Sequence, residues 1–203
     1  IERAVLTQES TKGRILNAAY SLFRKEGFTR VSMDAIAERA GVTKRTVYYH
    51  FKSKDDIAAD VMTDQNDFLL RQFQEWAGST PQTPAQIVSN LFARLYEWAD
   101  SETYLGSGFT RIATELADRP GHPARKAGSS HKKQVEQWLA KQLLDAGYAN
   151  AEGGARSCVM LIEGSMILAL IHTDATYIQA AGQTASALIE AIDTDQSQAN
   201  PLR

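Results

Sequence analysis

The sequence predicts an all-α protein, with a three-helix bundle at its amino terminus and a six-helix domain after it. Apolar residues recur at intervals of three and four through most of the chain, whereas the alternation typical of strands is almost absent. Residues that cap helices, and glycines that end them, separate these periodic stretches. The composition, 43% hydrophobic and 23% charged, is that of an ordinary globular protein.

The first three predicted helices are short and are divided by clear turn signals. Residues 11–26 form an apolar stripe, and Gly27 can end that helix. Ser32 can cap a second helix, which Gly41 breaks, and Thr43 can cap a third helix that runs to about residue 50. These signals predict a compact helical head.

The rest of the chain predicts six longer helices. Ser53, followed three residues later by an acidic residue, is a variant of the capping box and opens the fourth helix. Thr83 and Pro84 begin the fifth after a loop at 78–84. We predict the remaining helices at about 103–118, 123–146, 150–172 and 174–193, with a frayed tail at 193–203.

Charge divides the chain into a basic head, residues 1–54, and an acidic body, residues 55–203. The head holds 11 Lys+Arg and 5 Asp+Glu, whereas the body holds 11 Lys+Arg and 19 Asp+Glu. A basic head on an acidic body suggests that the head binds a polyanion and the body does not. A merely solvated basic face would give the same counts. We take residues 54 and 55 as the domain boundary.

The cysteine count and the longest apolar run indicate a cytoplasmic protein. A single cysteine, Cys158, excludes an intramolecular disulfide framework and fits a reducing compartment. The apolar run at 158–171 is shorter than the roughly 20 residues that a membrane span needs, and Glu163 interrupts it. We therefore expect a buried helix there and no membrane partner.

A helix, a tight glycine turn and a second helix form the helix-turn-helix arrangement. Such a small unit needs a small residue where its helices cross, which Ala37 provides, and a turn residue that tolerates positive φ, which Gly41 provides. Val47 and Phe51 lie four residues apart and can anchor the second of these helices inward. The side chains that remain outward are those of Lys44, Arg45, Thr46, Tyr48, Tyr49 and His50.

This outward set is suited to a DNA groove. Lysine and arginine reach phosphates or guanine edges, threonine contacts either or a thymine methyl, and tyrosine offers a flat face with a hydroxyl. Ser32 and Thr43 lie at helix starts, where free N–H groups favour an anion, and Lys54 can hold one more phosphate. Burial of Tyr48 and Tyr49 in the core of an ordinary bundle is the alternative. The predicted DNA-binding residues are Ser32, Thr43, Lys44, Arg45, Thr46, Tyr48, Tyr49, His50 and Lys54.

Three stretches, "ILNAAYSLFRKEGF", "VSMDAIAERAGV" and "TKRTVYYHFKSKDDI", together resemble the amino-terminal DNA-binding domain of the TetR family of transcriptional regulators. The resemblance implies a homodimer in which a small molecule binds the carboxy-terminal domain and changes the spacing of two DNA-reading heads. It implies that Lys44, Arg45, Thr46 and Tyr48 face base edges or phosphates. It further implies that Tyr49, His50, Lys54 and Ser32 contact the DNA backbone. Met33 and Asp34 suit DNA contact less well, so we do not extend base reading to the second helix.

The same resemblance implies that the last two helices pair with those of a second subunit, here through residues 150–193. This region is rich in glycine and alanine, which let helices approach closely, and Gly182 in a helix interior would be explained by a close crossing. A helix pair inside the core of one monomer is the alternative explanation.

An effector pocket would lie among the helices between about 84 and 172. Glu163 stands in an apolar run, so it needs a partner, either Arg111 or Arg156 or a cationic or hydroxylated effector. The lining residues suggest a largely apolar effector, although each could equally be an ordinary core residue. The candidates are Phe92, Tyr96, Tyr104, Phe109, Trp138, Met160, Glu163, Met166 and His172.

Features of enzymes are scarce in the sequence. There is no glycine-rich phosphate loop and no nucleophile elbow, and Cys158 lies in an apolar run that should raise its pKa and leave it inert. His122 and His131 could ligate a metal or be solvated loop histidines. We expect no cofactor, no metal and no catalysis.

The sequence as a whole predicts a ligand-responsive repressor that binds a pseudo-palindromic operator as a homodimer. One alternative is a DNA-binding regulator whose body serves only for dimerisation or for protein partners. Another is an α-helical enzyme whose basic head is incidental.

Overall fold

The structure, a computed structural model, describes residues 10–79 and 82–199. All regular structure within these residues is α-helical, as the sequence predicts. The helices are α1 (Thr11–Glu26), α2 (Met33–Ala40), α3 (Lys44–His50), α4 (Lys54–Ala77), α5 (Pro84–Ala99), α6 (Gly108–Glu115), α7 (Pro123–Asp145), α8 (Ala151–His172) and α9 (Thr176–Ala199).

Packing divides the chain into two compact units. Among the described residues, the first unit contains 10–69 together with Ser107–His131, and the second contains 70–79, 82–106 and 132–199. This grouping differs from the predicted boundary at residues 54 and 55. A three-helix head is too small to bury much apolar surface, so its core extends into α4, α6 and the start of α7. That core includes Ile15, Phe23, Ile36, Val47, Ile57, Val61, Phe109, Ile112 and Ala124.

The predicted caps fix α2 and α3 where the sequence places them. The Ser32 hydroxyl accepts a hydrogen bond from the Ala35 amide at 3.1 Å, and the Thr43 hydroxyl accepts one from the Thr46 amide at 3.1 Å. Gly41 ends α2 in the left-handed conformation, with φ of 65°. These caps satisfy amides that have no partner inside their own helix, so α2 and α3 begin at defined residues.

In the second unit the close helix crossing predicted at Gly182 lies between α9 and α5. A Cβ atom at Gly182 would lie 2.7 Å from the Cβ of Phe92, which is closer than real carbon atoms approach. The small residue is therefore required by a crossing inside the chain, and the alternative of a core helix pair is correct for this glycine. At the start of α5, Thr83 and Gln86 form the predicted capping box.

Two predicted boundaries are wrong. Of the range 103–118 predicted as a helix, only Gly108–Glu115 is helical. Gly106 has a φ of 70°, and Ser107 caps the helix that begins at Gly108. The tail predicted to fray from residue 193 continues α9 to Ala199. Residues 200–203 of that tail, and residues 80 and 81 of the predicted loop, lie outside the described part of the chain.

Helix α8 is long and apolar enough to cross a membrane by length and composition, with a mean hydropathy of 1.6. One of its faces packs in the core of the second unit through Cys158, Ile162, Met166 and Ala169. The apolar composition of α8 is thus partly that of a core helix.

Candidate nucleic-acid interface

Helix α3 is held against the first unit by one apolar edge. Val47 and Phe51, four residues apart, are both buried, as predicted. The turn before the helix is closed by a hydrogen bond from the Val42 amide to the Ala37 carbonyl at 3.0 Å. With one edge buried and the turn fixed, the opposite side of this short helix faces solvent.

The solvent side of α3 carries the predicted basic and aromatic side chains. Lys44 and Arg45 are exposed, Tyr48 is 47% exposed and Tyr49 is 84% exposed. Burial of the two tyrosines in the core, the alternative interpretation, is therefore wrong. We call this set, Lys44, Arg45, Thr46, Tyr48 and Tyr49, the α3 face.

Two side-chain contacts order the amino-terminal end of the α3 face. The Lys44 ammonium forms an ion pair with the Asp34 carboxylate of α2 at 2.9 Å, and this hydrogen bond raises the pKa of Lys44. The hydroxyls of Thr43 and Thr46 are hydrogen-bonded at 2.8 Å. The partner of Lys44 was not predicted, although an acid near the start of α2 is a signal that could have indicated it.

His50 and Ser32 flank the α3 face. The half-buried His50 ring meets the Tyr49 ring edge to face, with centroids 5.1 Å apart. Ser32 is exposed, and its hydroxyl oxygen already accepts the capping bond. The hydroxyl hydrogen of Ser32 remains a donor for an anion, because a serine hydroxyl both accepts and donates.

Lys54 does not fit the predicted phosphate contact. Its ammonium donates to the carbonyls of Phe28 at 2.7 Å, Val31 at 2.9 Å and Thr29 at 3.3 Å. It also lies over the Phe28 ring, 4.4 Å from the centroid. An ammonium has three N–H donors, and here all three have partners in the backbone between α1 and α2. Lys54 therefore ties that segment to the start of α4.

An ionic cluster adjoins Lys54 at the start of α4. The Asp55 carboxylate lies 2.7 Å from Arg119 and 3.1 Å from Nε2 of His122. Burial alone would raise the pKa of Asp55, but hydrogen bonds from Arg119 and His122 together bring it below its usual value. His122 also accepts a hydrogen bond from the Ala124 amide at its Nδ1.

The two histidines considered as metal ligands or solvated loop residues are not solvated, and each has a polar partner. His122 and His131 are both buried, and Nδ1 of His131 lies 2.9 Å from the Asn66 side-chain oxygen. The His131 ring stacks on Phe109, with centroids 4.2 Å apart. Among the described residues, no group of three or more His, Cys, Asp or Glu is placed to hold a metal ion.

The predicted effector residues do not form one group. Phe109 belongs to the core of the first unit, whereas Met160 is 62% exposed and His172 is exposed, stacked on Tyr177. The second unit contains the buried side chains of Phe92 and Met166 and the half-buried ones of Tyr96, Tyr104, Trp138 and Glu163. The prediction for this set stays untested as a binding site.

Sequence reasoning overlooked most of an aromatic chain in the second unit. The rings of Phe73 and Trp76 lie 5.8 Å apart, those of Trp76 and Trp98 6.3 Å, and those of Trp98 and Tyr104 4.9 Å. All four side chains are half-buried. Only Tyr104 was predicted, because the other three lie at helix ends where spacing alone assigns no partner. We call these four residues the aromatic chain.

Glu163 has a different partner from those predicted. It forms an ion pair with Lys132 of α7, whereas Arg156 pairs with Glu136 and Arg111 pairs with Glu115. Tyr104 lies near this pair and donates from its hydroxyl to the Met166 carbonyl at 2.8 Å. Burial, and secondly the charge of Glu163, raise the pKa of the Tyr104 hydroxyl, so this tyrosine stays neutral.

The amino-terminal part of the chain matches a known protein family. Residues 15–61 match the model of a family described as bacterial regulatory proteins, tetR family. The chain is 25% identical over 141 residues to the HTH-type transcriptional repressor KstR2 of Mycolicibacterium smegmatis, a match that covers 70% of this chain and 66% of that protein. It is 33% identical over 85 residues to the HTH-type transcriptional regulator SrpR of Pseudomonas putida, covering 42% of this chain and 40% of that one. The chain thus spans less than two thirds of either relative.

Solved structures share the fold over most of the chain. SCO4454, a TetR-family transcriptional regulator from Streptomyces coelicolor, superposes with a TM-score of 0.75 at 24% identity, covering 91% of this chain and 95% of that one. A TetR transcriptional regulator from Legionella pneumophila gives a TM-score of 0.75 at 22% identity, covering 89% and 97%. These similarities concern the fold, and they extend beyond the segment that the family model matches.

Proposed function

Because this chain belongs to the tetR family of bacterial regulatory proteins, we propose that it is a cytoplasmic repressor that binds an operator through its α3 face. One observation carries the proposal: α3 buries Val47 and turns basic, hydroxyl and phenolic side chains to solvent. These side chains do not contribute to a hydrophobic core, but they can contact the base edges of a major groove and its flanking phosphates. The proposed activity is binding and not catalysis.

The α3 face lies in the major groove in this proposal. Lys44 and Arg45 contact guanine edges or phosphates, and Thr46 contacts a base edge or a thymine methyl. Tyr48 faces base edges or phosphates. Tyr49 and His50 contact the backbone at the end of the helix, and Ser32 donates its hydroxyl hydrogen to a phosphate at the start of α2. Lys54 is left out because its ammonium is committed to backbone carbonyls.

The test compares single variants of the α3 face on one operator. We expect Arg45→Ala to weaken binding by about 1–3 kcal/mol and Tyr49→Phe to weaken it less, both without loss of helical circular dichroism. Lys25→Ala, an exposed lysine at the end of α1, serves as the charge-matched control. If both α3 variants bind as tightly as wild type, the assigned face is wrong.

A second copy of the chain covers the exposed side of α8 and α9 in this proposal. Met160, Gly164, Ile167 and Ile171 follow one another on α8 at steps of four, three and four residues. The three apolar side chains are exposed, and nothing lies within 4 Å of a Cβ placed on Gly164. Exposed apolar residues arranged in a stripe are typical of an interface. Pairing through this stripe, within residues 150–193, gives two α3 faces for one pseudo-palindromic operator.

The oligomeric state tests this interface directly. We expect Ile171→Glu to give monomers in sedimentation velocity and to lose operator binding while keeping its helical content. Leu144→Glu removes an equally exposed apolar side chain of α7 and should stay dimeric. If both variants are dimers, the interface lies elsewhere. If the wild type is a monomer, the proposed interface does not exist.

The effector, in our proposal, is a largely apolar small molecule that contacts the aromatic chain. Four half-buried rings offer apolar faces, and the one carboxylate of the apolar run, Glu163, is already paired with Lys132. A panel of uncharged aromatic compounds should include members that raise Tm, and Trp98→Leu should abolish that rise. If none raises Tm, the body serves only for dimerisation or protein partners.

A further inference from the structure

The ion pair between Asp34 and Lys44 joins the two helices of the helix-turn-helix. Asp34 is the second residue of α2, Lys44 is the first residue of α3, and the ammonium nitrogen lies 2.9 Å from the carboxylate oxygen. Both side chains are solvated, 53% exposed for Lys44 and 66% for Asp34. The contact is therefore at the surface, on the same end of α3 as the side chains proposed to enter DNA.

An acid in the first turn of α2 stabilises that helix modestly, but this effect does not require the contact with Lys44, and attraction to DNA does not explain an acid here. Exposed ion pairs contribute little to folding, and α2 and α3 are already anchored by buried Ile36, Ala37 and Val47. A carboxylate beside a DNA-contacting surface repels phosphates and so lowers affinity for every sequence. Because this acid lowers affinity for DNA, we consider a role in discriminating between DNA sequences.

The orientation of Lys44 provides such a role. A lysine ammonium on a flexible stem is a mobile point charge, which contacts any nearby phosphate and reads no base by itself. One of its three donors is taken by Asp34, and the bond fixes the ammonium beside the start of α2. Two donors remain for the O6 and N7 acceptors of a guanine in the major groove.

We propose that Asp34 is a positioning residue that holds Lys44 for reading a guanine edge and keeps it from the phosphates. The inference rests on the proposed operator binding and deepens it, because α2 then contributes to sequence choice through Lys44 without touching a base. Asp34 thus lowers the affinity for DNA of any sequence and increases the discrimination between sequences.

The experiment measures the ratio of two dissociation constants for the full chain, one for random-sequence DNA and one for the operator that wild type enriches from a random pool. Asp34→Asn should lower this ratio about tenfold, mainly because random DNA binds more tightly and the operator gains less. Lys44→Ala should lower the ratio by a similar factor, and the double variant should match Lys44→Ala alone. Asp34→Glu, which keeps the carboxylate, should restore at least part of the ratio.

Glu38→Gln is the matched control, since it removes one negative charge from the same helix. Glu38 is exposed, and its carboxylate makes no ion pair within the described residues. We expect it to change both affinities equally and to leave the ratio unchanged. Circular dichroism of every variant checks that α2 and α3 remain folded.

An unchanged ratio in Asp34→Asn overturns the inference, as does a loss that adds to that of Lys44→Ala, because Asp34 would then not act through Lys44. A fall in the ratio for Glu38→Gln equal to that for Asp34→Asn also overturns it, since charge alone would suffice. If wild type enriches no sequence from the pool, the proposed function itself fails. A failure of the inference alone is different, because wild type then enriches an operator and only the ratio test fails.

Discussion

Replacing Lys54 by methionine separates the role that the structure gives this lysine from the one that the sequence predicts. Methionine keeps the length and much of the apolar stem but removes the ammonium, leaving the carbonyls of Phe28, Thr29 and Val31 without their donor. Lys52→Met is the matched control, because Lys52 is an exposed lysine two residues away. A phosphate contact and a structural tie then give opposite results.

The expected loss of stability follows from the three hydrogen bonds. A hydrogen bond to a charged group contributes about 1.5–3 kcal/mol, but these three share one half-exposed ammonium and their carbonyls can partly recover water. We therefore expect the free energy of unfolding to fall by about 2–4 kcal/mol. For a chain of this length, that loss lowers Tm by roughly 5–15 °C.

Two measurements decide between the roles. Urea unfolding followed by circular dichroism gives the stability, and fluorescence anisotropy at several salt concentrations gives the slope of log affinity against log salt. We expect Lys54→Met to lose stability and to keep the slope of wild type at a temperature where it is folded. If instead stability is unchanged and the slope falls by about 0.9, the amount for one lost phosphate contact, the structural role is refuted.

Three further predictions concern the rest of the molecule. Gly182→Ala should lower the free energy of unfolding by about 1–3 kcal/mol, measured in urea, because the new methyl overlaps Phe92; an unchanged midpoint would refute the close crossing. Burial raises the pKa of the Cys158 thiol to about 11, so a thiol reagent at pH 8 should react only after urea unfolds the chain, and immediate labelling would contradict this. The lowered pKa of Asp55 means that its contribution to stability is present at neutral pH and is lost as pH falls below about 4. Arg119→Gln should therefore reduce stability at pH 7 by under about 1 kcal/mol, and the reduction should shrink progressively as pH falls below about 4, whereas a loss that does not change with pH would exclude this ion pair as the cause.

Local signals in the sequence located the helix starts well. Ser32, Thr43 and Thr83 each cap the helix predicted for them, because a cap depends on a side chain and an amide only two or three residues apart. The inward position of Val47 and Phe51 follows from their spacing on a helix of known period. Features that depend on neighbours in sequence were therefore predictable.

Contacts between distant parts of the chain were less predictable. Lys54 could not be assigned to the carbonyls of Phe28 and Val31 from its position, because those groups lie more than 20 residues away. The partner of Glu163 was wrong for the same reason, since spacing does not reveal that α7 brings Lys132 to it. A long charged side chain reaches several partners, and only packing selects one of them.

The central claim is that two α3 faces, one from each subunit, read one DNA duplex. The measurement that tests it most directly is enrichment of a random DNA pool by the full chain, followed by sequencing of the bound fraction. The proposed function predicts an inverted repeat whose half-site centres are one helical turn apart, ~34–36 Å, or a multiple of that distance. A bound fraction without any enriched sequence, or with a single unrepeated site, would contradict it.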